Sequence, residues 1–355
     1  MPAASAEHLN ISTSAGAAER RPPHAPRATP RDHPEVTIMR IALVSTPSLH
    51  HTSAWVTSEL AQRRHDLDSP PPVVVEDVGE AAVVGHRMAD LWRVTAPDVV
   101  LALGWEAGLA AQVAAREVRT PVVLRVARAG YATESDRLRI EVALARTSAL
   151  VLARSVGEAD RLVECGVRRS ALRVLPDAVD RRHFPDGGMT SLGTTRTGHR
   201  SGTHRVAVAA RQGSADDLVQ LLSAMPGCEP LPLAIDLPDA ELANRLRSAD
   251  AIVVRDDSED EVALVLRAMS CGVPTVAVDR GVLSDVVADG VTGLLVRPTE
   301  LTDALRSLLA DPMRRESLGL AAADRVVARF DTSVVGAALD RALREIAPVA
   351  VAAAS

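Results

Sequence analysis

The sequence predicts an α/β protein of two Rossmann-like, doubly wound domains facing a cleft. Three observations carry that expectation. Short apolar runs alternate with helix-period stretches from Ile41 to Ala153, and again from Arg205 to Val296. This is the pattern of parallel strands buried on both faces and joined by crossover helices. Residues 181–204 break the alternation with Gly, Ser, Thr, Arg and His and no apolar period, which marks a linker. Finally, 355 residues of which 47 % are hydrophobic are enough for two ordinary domains, each with its own core.

Taken in order, Ile41–Ser45 is a short buried strand, and Thr57–Arg64 is helical. Val73–Val75 reads as a second strand. Ala81–Val94 is a helix with Val84, Met88 and Leu91 at helical spacing. Pro97–Leu103 is a strand, apolar apart from Asp98, that turns at Gly104 into the Ala-rich helix Glu106–Arg116. Val122–Val126 and Ser148–Ala153 are the next strands, and Ser155-Val-Gly-Glu158 has the S-x-x-E form of a capping box for a helix running to Cys165. After the linker, strands are expected from Arg205, at Ala251–Val254 and at Thr275–Val278. Between the last two lies a helix with Val262, Leu266 and Met269 on one face, closed by the small-residue turn Ser270–Pro274. Helices Glu300–Ala310, Arg314–Arg329 and Thr332–Ile346 follow, the last able to pack back across both domains. The domain bounds are 1–38 for a disordered leader, 39–180 for the first domain, 181–204 for the linker, 205–330 for the second domain, and 331–355 for a terminal helix and tail.

Composition removes several function classes. The net charge of −6 argues against a nucleic-acid partner. Every base is arginine, so a Schiff-base lysine and a Walker A loop are excluded. No G-x-G-x-x-G follows a strand, which disfavours an NAD dehydrogenase; no cofactor and no metal are expected. Trp55, Trp92, Trp105, Tyr131, Phe184 and Phe330 are all the aromatic side chains apart from histidine, too few for a lectin that stacks sugars. Cys165, Cys228 and Cys271 are too widely spaced for a zinc site or a disulfide framework and suit reduced thiols in a cytoplasmic protein. No apolar run approaches the roughly 20 residues of a membrane span.

The order AD-x-x-V…SE…AM-x-CG-x-P-x-VA…G…V-x-DG-x-TG-x-LV over residues 249–296 resembles the donor-binding half of family 4 glycosyltransferases with the GT-B fold. PDVVLALGWEAGLAAQVAA, SALVLARSVGEADRLVECGV and LRVLPDAVDRRHF extend the resemblance into the first domain. It implies metal-independent sugar transfer from a nucleotide-sugar donor to a small-molecule or cell-envelope acceptor, with retention of anomeric configuration. It also implies a donor set of Glu259 as the catalytic carboxylate with Arg211, Ser258, Val262, Ala263 and Arg267, and an acceptor side at Gly104 and Trp105.

This sequence departs from the family at several of those places. The family's lysine falls on Gln212, its second donor glutamate on Arg267, its glycine on Val262 and its first-domain histidine on Ala127. Thr46-Pro-Ser-Leu-His-His51 stands where the family has a glycine-rich loop, so His50 and His51 are open either to a charge role or to solvation. Ser258-Glu-Asp-Glu261 is also explained as a capping box alone, and its acidic run would oppose a diphosphate. Residues 226–249 are too short for the extra strand and helix that complete the family's base pocket. A second function therefore stays open: an inactive shell serving as a partner or scaffold for another protein. A GT-B sugar-nucleotide epimerase is a third. On composition, residues 1–38 bury too little apolar surface to order themselves. Deleting them should leave the melting temperature unchanged by calorimetry, and a drop of many degrees would show that they dock on the body.

Overall fold

The computed structural model describes residues 38–75, 77–126, 135–185, 203–209 and 215–347. The leader expectation, Ala127, Arg211 and Gln212, and most of the linker fall outside those residues.

Two parallel sheets form, and continuous apolar strands are the reason. In the first, β1 (Arg40–Val44), β2 (Asp66–Asp68), β3 (Val99–Leu103), β4 (Val122–Arg125), β5 (Leu150–Ala153) and β6 (Leu172–Val174) lie in the order β2-β1-β3-β4-β5-β6. In the second, β7 (His204–Ala209), β8 (Cys228–Leu233), β9 (Ala251–Val254), β10 (Thr275–Val278) and β11 (Gly293–Val296) lie in the order β11-β10-β9-β7-β8. The helices are α1 (His50–Gln62), α2 (Val78–Thr95), α3 (Trp105–Val118), α4 (Ser135–Thr147), α5 (Val156–Glu164), α6 (Ala215–Ser223), α7 (Asp239–Arg247), α8 (Glu259–Ser270), α9 (Leu283–Val286), α10 (Leu301–Ala310), α11 (Pro312–Arg329) and α12 (Thr332–Ile346).

Alternate strand residues feed opposite faces, so each sheet has two cores. Ala42, Val44, Val100 and Ala102 join α2 and α3, whereas Ile41, Leu43, Val99 and Leu101 join α1 and α12. In the second sheet, Ala207, Ile252 and Val254 pack on α7, α8 and α11, while Val206, Val208 and Val253 pack on α6 and α10. This is the doubly wound, two-domain arrangement the sequence predicts. None of the described helices is long and apolar enough to cross a membrane.

Two readings of the elements change. The second strand is not Val73–Val75 but the acidic Asp66–Asp68, which pairs only with β1 at the sheet edge. An edge strand needs backbone pairing more than an apolar sequence, and Val73 and Val75 bury their side chains beside the sheet after Pro70–Pro72 instead. The short segment after Pro226 holds β8 and α7 and no further strand or helix. Pro230 and Pro232 disguise β8 in the sequence; they are tolerated because β8 is an edge strand with one unpaired side. Both expected capping boxes form only one arm. Ser155 and Ser258 accept from the amides of Glu158 and Glu261, but Glu158 reaches back to the Arg154 amide and Glu261 to those of Arg255 and Asp256.

The terminal helix α12 belongs to the first domain's core. Val335, Leu339, Ala342 and Leu343 are buried with Ile41, Leu60 and Leu101. His65 pins it: Nδ1 accepts from the Met39 amide at 3.2 Å, so Nε2 carries the proton and donates to Asp340 at 2.7 Å. α12 and α1 together cover a sheet face that α1 alone would leave half open. Leu339→Ala should accordingly cost about 2–5 kcal/mol in denaturant unfolding; a loss below about 1 kcal/mol would mean that α12 is not part of this core.

Candidate functional site

In open α/β sheets, ligands bind outside the carboxyl ends of the strands, where the strand order reverses. The reversals here fall between β1 and β3 and between β7 and β9. Gly104 directly follows β3, and Ser258 and Glu259 follow β9. A cavity of about 480 Å³ opens between the domains. Its walls come from residues just past strand ends: His50, His51 and Thr52 after β1, Asp177 after β6, Ile235, Asp236, Leu237 and Asp239 after β8, and Glu259 after β9. Phe184 and Thr332 close it from the crossing segments.

Of the expected donor residues, Glu259, Ala263 and Arg267 line this cavity from one face of α8. Ser258 is spent on capping α8 and does not line it. Val262 is fully buried in the second domain's core. Arg211 lies outside the described residues. On the acceptor side, Gly104 adopts φ +85° as the N-cap of α3, and Trp105 packs against the first domain's core; neither lines the cavity. A side chain at Gly104 would meet Leu49 at 2.9 Å.

The acidic run at the start of α8 does not confront the cavity as a block. Asp257 turns to the Val282 amide and Glu261 to two backbone amides, leaving Glu259 as the carboxylate of this run that lines the space. Glu259 Oε1 accepts from the Thr52 hydroxyl at 2.5 Å, across from the first domain. Burial raises its pKa; Arg125, the Thr52 bond and Arg154 oppose that, and Asp177 adds to it.

Arg267 also reaches across. Its Nη2 meets His51 Nδ1 at 3.3 Å, its Nη1 donates to the Ile235 carbonyl at 3.4 Å, and its guanidinium lies 5.2 Å from the Phe184 ring centre. Burial lowers its pKa, with Asp239 and Asp260 acting the other way. His51 titrates at about 4, held down by burial first, then by Arg267 and His50. The sequence left the two histidines between a charge role and solvation; both line the cavity.

Beneath the cavity lies a cluster that sequence reading missed. Asp177 is clamped by Arg125 at 2.5 Å and by Arg154 at 2.7 Å, with all three side chains almost fully buried. Burial would raise the Asp177 pKa, but the two guanidiniums outweigh it and hold the carboxyl low. Arg154 is likewise shifted upward despite burial, through Asp177 and Glu158, and its Nη1 reaches the Asp257 carbonyl in the other domain at 3.4 Å. The missing signal was an arginine at the carboxyl end of two apolar strands, where a parallel sheet has no use for charge except in its crevice.

Glu158 is pushed up to about 7, chiefly by burial. The folded chain therefore keeps a proton that the unfolded chain loses near 4.5. A carboxyl raised in this way adds stability below the unfolded value, and that contribution fades as pH climbs to about 7. Glu158→Gln should flatten the stability–pH curve between about 4.5 and 7, measured by urea unfolding at several pH values. An unchanged slope would place the titration elsewhere.

Comparison with known proteins agrees with this geometry. Residues 234–325, which hold Glu259 and Arg267, match the family described as glycosyl transferases group 1. The D-inositol 3-phosphate glycosyltransferase of Paenarthrobacter aurescens (strain TC1) is 43 % identical over 86 residues, 23 % of this chain and 21 % of the relative. The protein of the same name from Nocardiopsis dassonvillei is 28 % identical over 280 residues, 63 % of this chain and 65 % of the relative. The chain thus matches between about a fifth and two thirds of the length of these curated relatives. Anabaena HepE, solved in complex with UDP and glucose, superposes with a TM-score of 0.66 at 15 % identity, covering 86 % of this chain and 100 % of HepE. The shared fold is GT-B.

Proposed function

We propose that this chain, a GT-B protein with a glycosyl transferases group 1 segment at residues 234–325, transfers a glycosyl group from a nucleotide sugar to a hydroxyl acceptor. The observation that carries the reading is Glu259. It stands at the strand-order reversal of the second sheet, at the head of α8, and lines a 480 Å³ cavity between the domains. Its carboxylate already accepts a hydroxyl, that of Thr52, which is the interaction a sugar hydroxyl would make there. Arg267, a cation on the same face of α8, suits the donor's phosphate, with Arg211 as a second cation after β7. Together they would carry the charge that develops on the leaving diphosphate. Ser258 and Val262 then serve by holding α8 in place. The acceptor is assigned to the other reversal, beside Gly104 and Trp105. The names of the curated relatives make a phosphorylated cyclitol the first acceptor class to offer, and HepE makes a UDP-sugar the first donor.

A second reading has its own support. Glu259 and Arg267 are each engaged by a first-domain side chain, as they would be in a shell that has given up its donor and acts as a scaffold for a partner. One experiment separates the two. The protein is incubated with a panel of UDP-, GDP- and ADP-sugars and inositol 3-phosphate, and products are read by mass spectrometry. Transfer should appear with at least one donor and fall about 10²-fold or more in Glu259→Ala. No product and no calorimetric heat with any sugar nucleotide would leave the scaffold reading standing.

A further inference from the structure

We propose that His51 and Arg267 together form an anion site on the wall of the cleft, in which a phosphate oxygen displaces their mutual hydrogen bond and His51 takes up a proton from solvent. This deepens the donor-and-acceptor reading above by naming the chemistry that opens the cleft.

A guanidinium only donates, so the 3.3 Å contact requires His51 Nδ1 to be the acceptor. The imidazole is therefore neutral, with its proton on Nε2. Arg267 makes no ion pair with a carboxylate among the described residues; its two hydrogen-bond partners are a neutral ring and a carbonyl. It is nonetheless pressed against Phe184 in a cavity that shields it from water. A cation so placed is incomplete, and the cavity beside it is large enough for a phosphate ester.

The charged groups facing His51 are Arg267 on α8, His50 on its own helix, and Asp236 and Asp239 after β8. Asp239 is also engaged by His183 at 2.6 Å. Without a ligand, burial first, then Arg267 and His50, keep His51 unprotonated until about pH 4. A phosphate between His51 and Arg267 reverses the dominant local field. It accepts from Arg267 Nη2, and a proton from solvent on Nδ1 gives it a second, charge-assisted donor. The closed contact would thus be exchanged for an anion held by two cations, each from a different domain. The proton balance is one taken up per anion bound, on top of any change in the phosphate itself.

The test is titration calorimetry at pH 6.5 in two buffers of different ionisation enthalpy, Tris and PIPES. UDP and glucose 6-phosphate are the probes, with inorganic phosphate as the bare anion. At least one probe should bind the wild type with buffer-dependent heat that reports proton uptake. Binding of UDP would assign the site to the donor diphosphate, and binding of glucose 6-phosphate alone would assign it to a phosphorylated acceptor. His51→Gln still offers Arg267 an acceptor but cannot take the proton; it should weaken binding several-fold and erase the extra uptake. Arg267→Met should weaken binding more than tenfold. Nitrogen NMR of the unaltered protein gives an independent readout, showing the Nε2–H tautomer without ligand and imidazolium when saturated. No binding by any probe, equal uptake in His51→Gln, or a His51 that stays neutral in the saturated complex would each overturn the proposal. Glycosyl transfer without proton-linked binding sinks this site while leaving the function standing; proton-linked binding without transfer does the reverse.

Discussion

The cleft depends on one buried ion cluster, Asp177 between Arg125 and Arg154. Three charges leave water together there, and the one carboxylate compensates both guanidiniums. Removing the carboxylate alone would strand two buried guanidiniums, the situation in which breaking a buried pair costs about 3–5 kcal/mol. The cluster also ties strands to one another: Arg125 ends β4, Arg154 follows β5 and Asp177 follows β6. It fixes the floor of the crevice on the first domain and, through Arg154 and the Asp257 carbonyl, sets the distance to the head of α8. A further link comes from Asp285, whose carboxylate accepts from the Val156 amide at 2.6 Å, so that the second domain satisfies an open donor at the start of α5.

Much of the fold was legible because parallel strands leave a plain trace. β3, β5 and β9 are unbroken apolar runs with their residues buried, β10 departs from that only at the buried Thr275, and the helices between them carry one apolar face. What escaped were edge strands. β2 is Asp-Leu-Asp and β8 holds two prolines, and neither composition announces a strand, because an edge is held by one neighbour's backbone rather than by its own side chains. The domain assignment of α12 was likewise not in its own sequence, since an amphipathic helix does not say which sheet it will cover.

The site was legible by half, for a related reason. Glu259, Ala263 and Arg267 recur at helical spacing, so one of them facing the cavity brings the others with it. Ser258 and Val262 sit in the same short stretch but are used for capping and for core, and sequence proximity could not separate those duties. The first-domain contributors were harder to see. Arg125, Arg154 and Asp177 lie 23 to 52 residues apart in pairs and meet only because neighbouring parallel strands end at the same level.

The two passages of the chain between the domains run side by side. Val179 N donates to the Phe330 carbonyl at 2.9 Å, and Thr332 N donates to the Val179 carbonyl at 3.2 Å, so the outgoing and returning segments pair as a minute parallel ribbon. A single connecting strand would let the halves swivel freely. A paired one bends readily about the line across both strands and resists torsion along them. Any gape of the crevice is thereby steered into a clamshell stroke, which would return Thr52 to Glu259 and His51 to Arg267 in register at each closure.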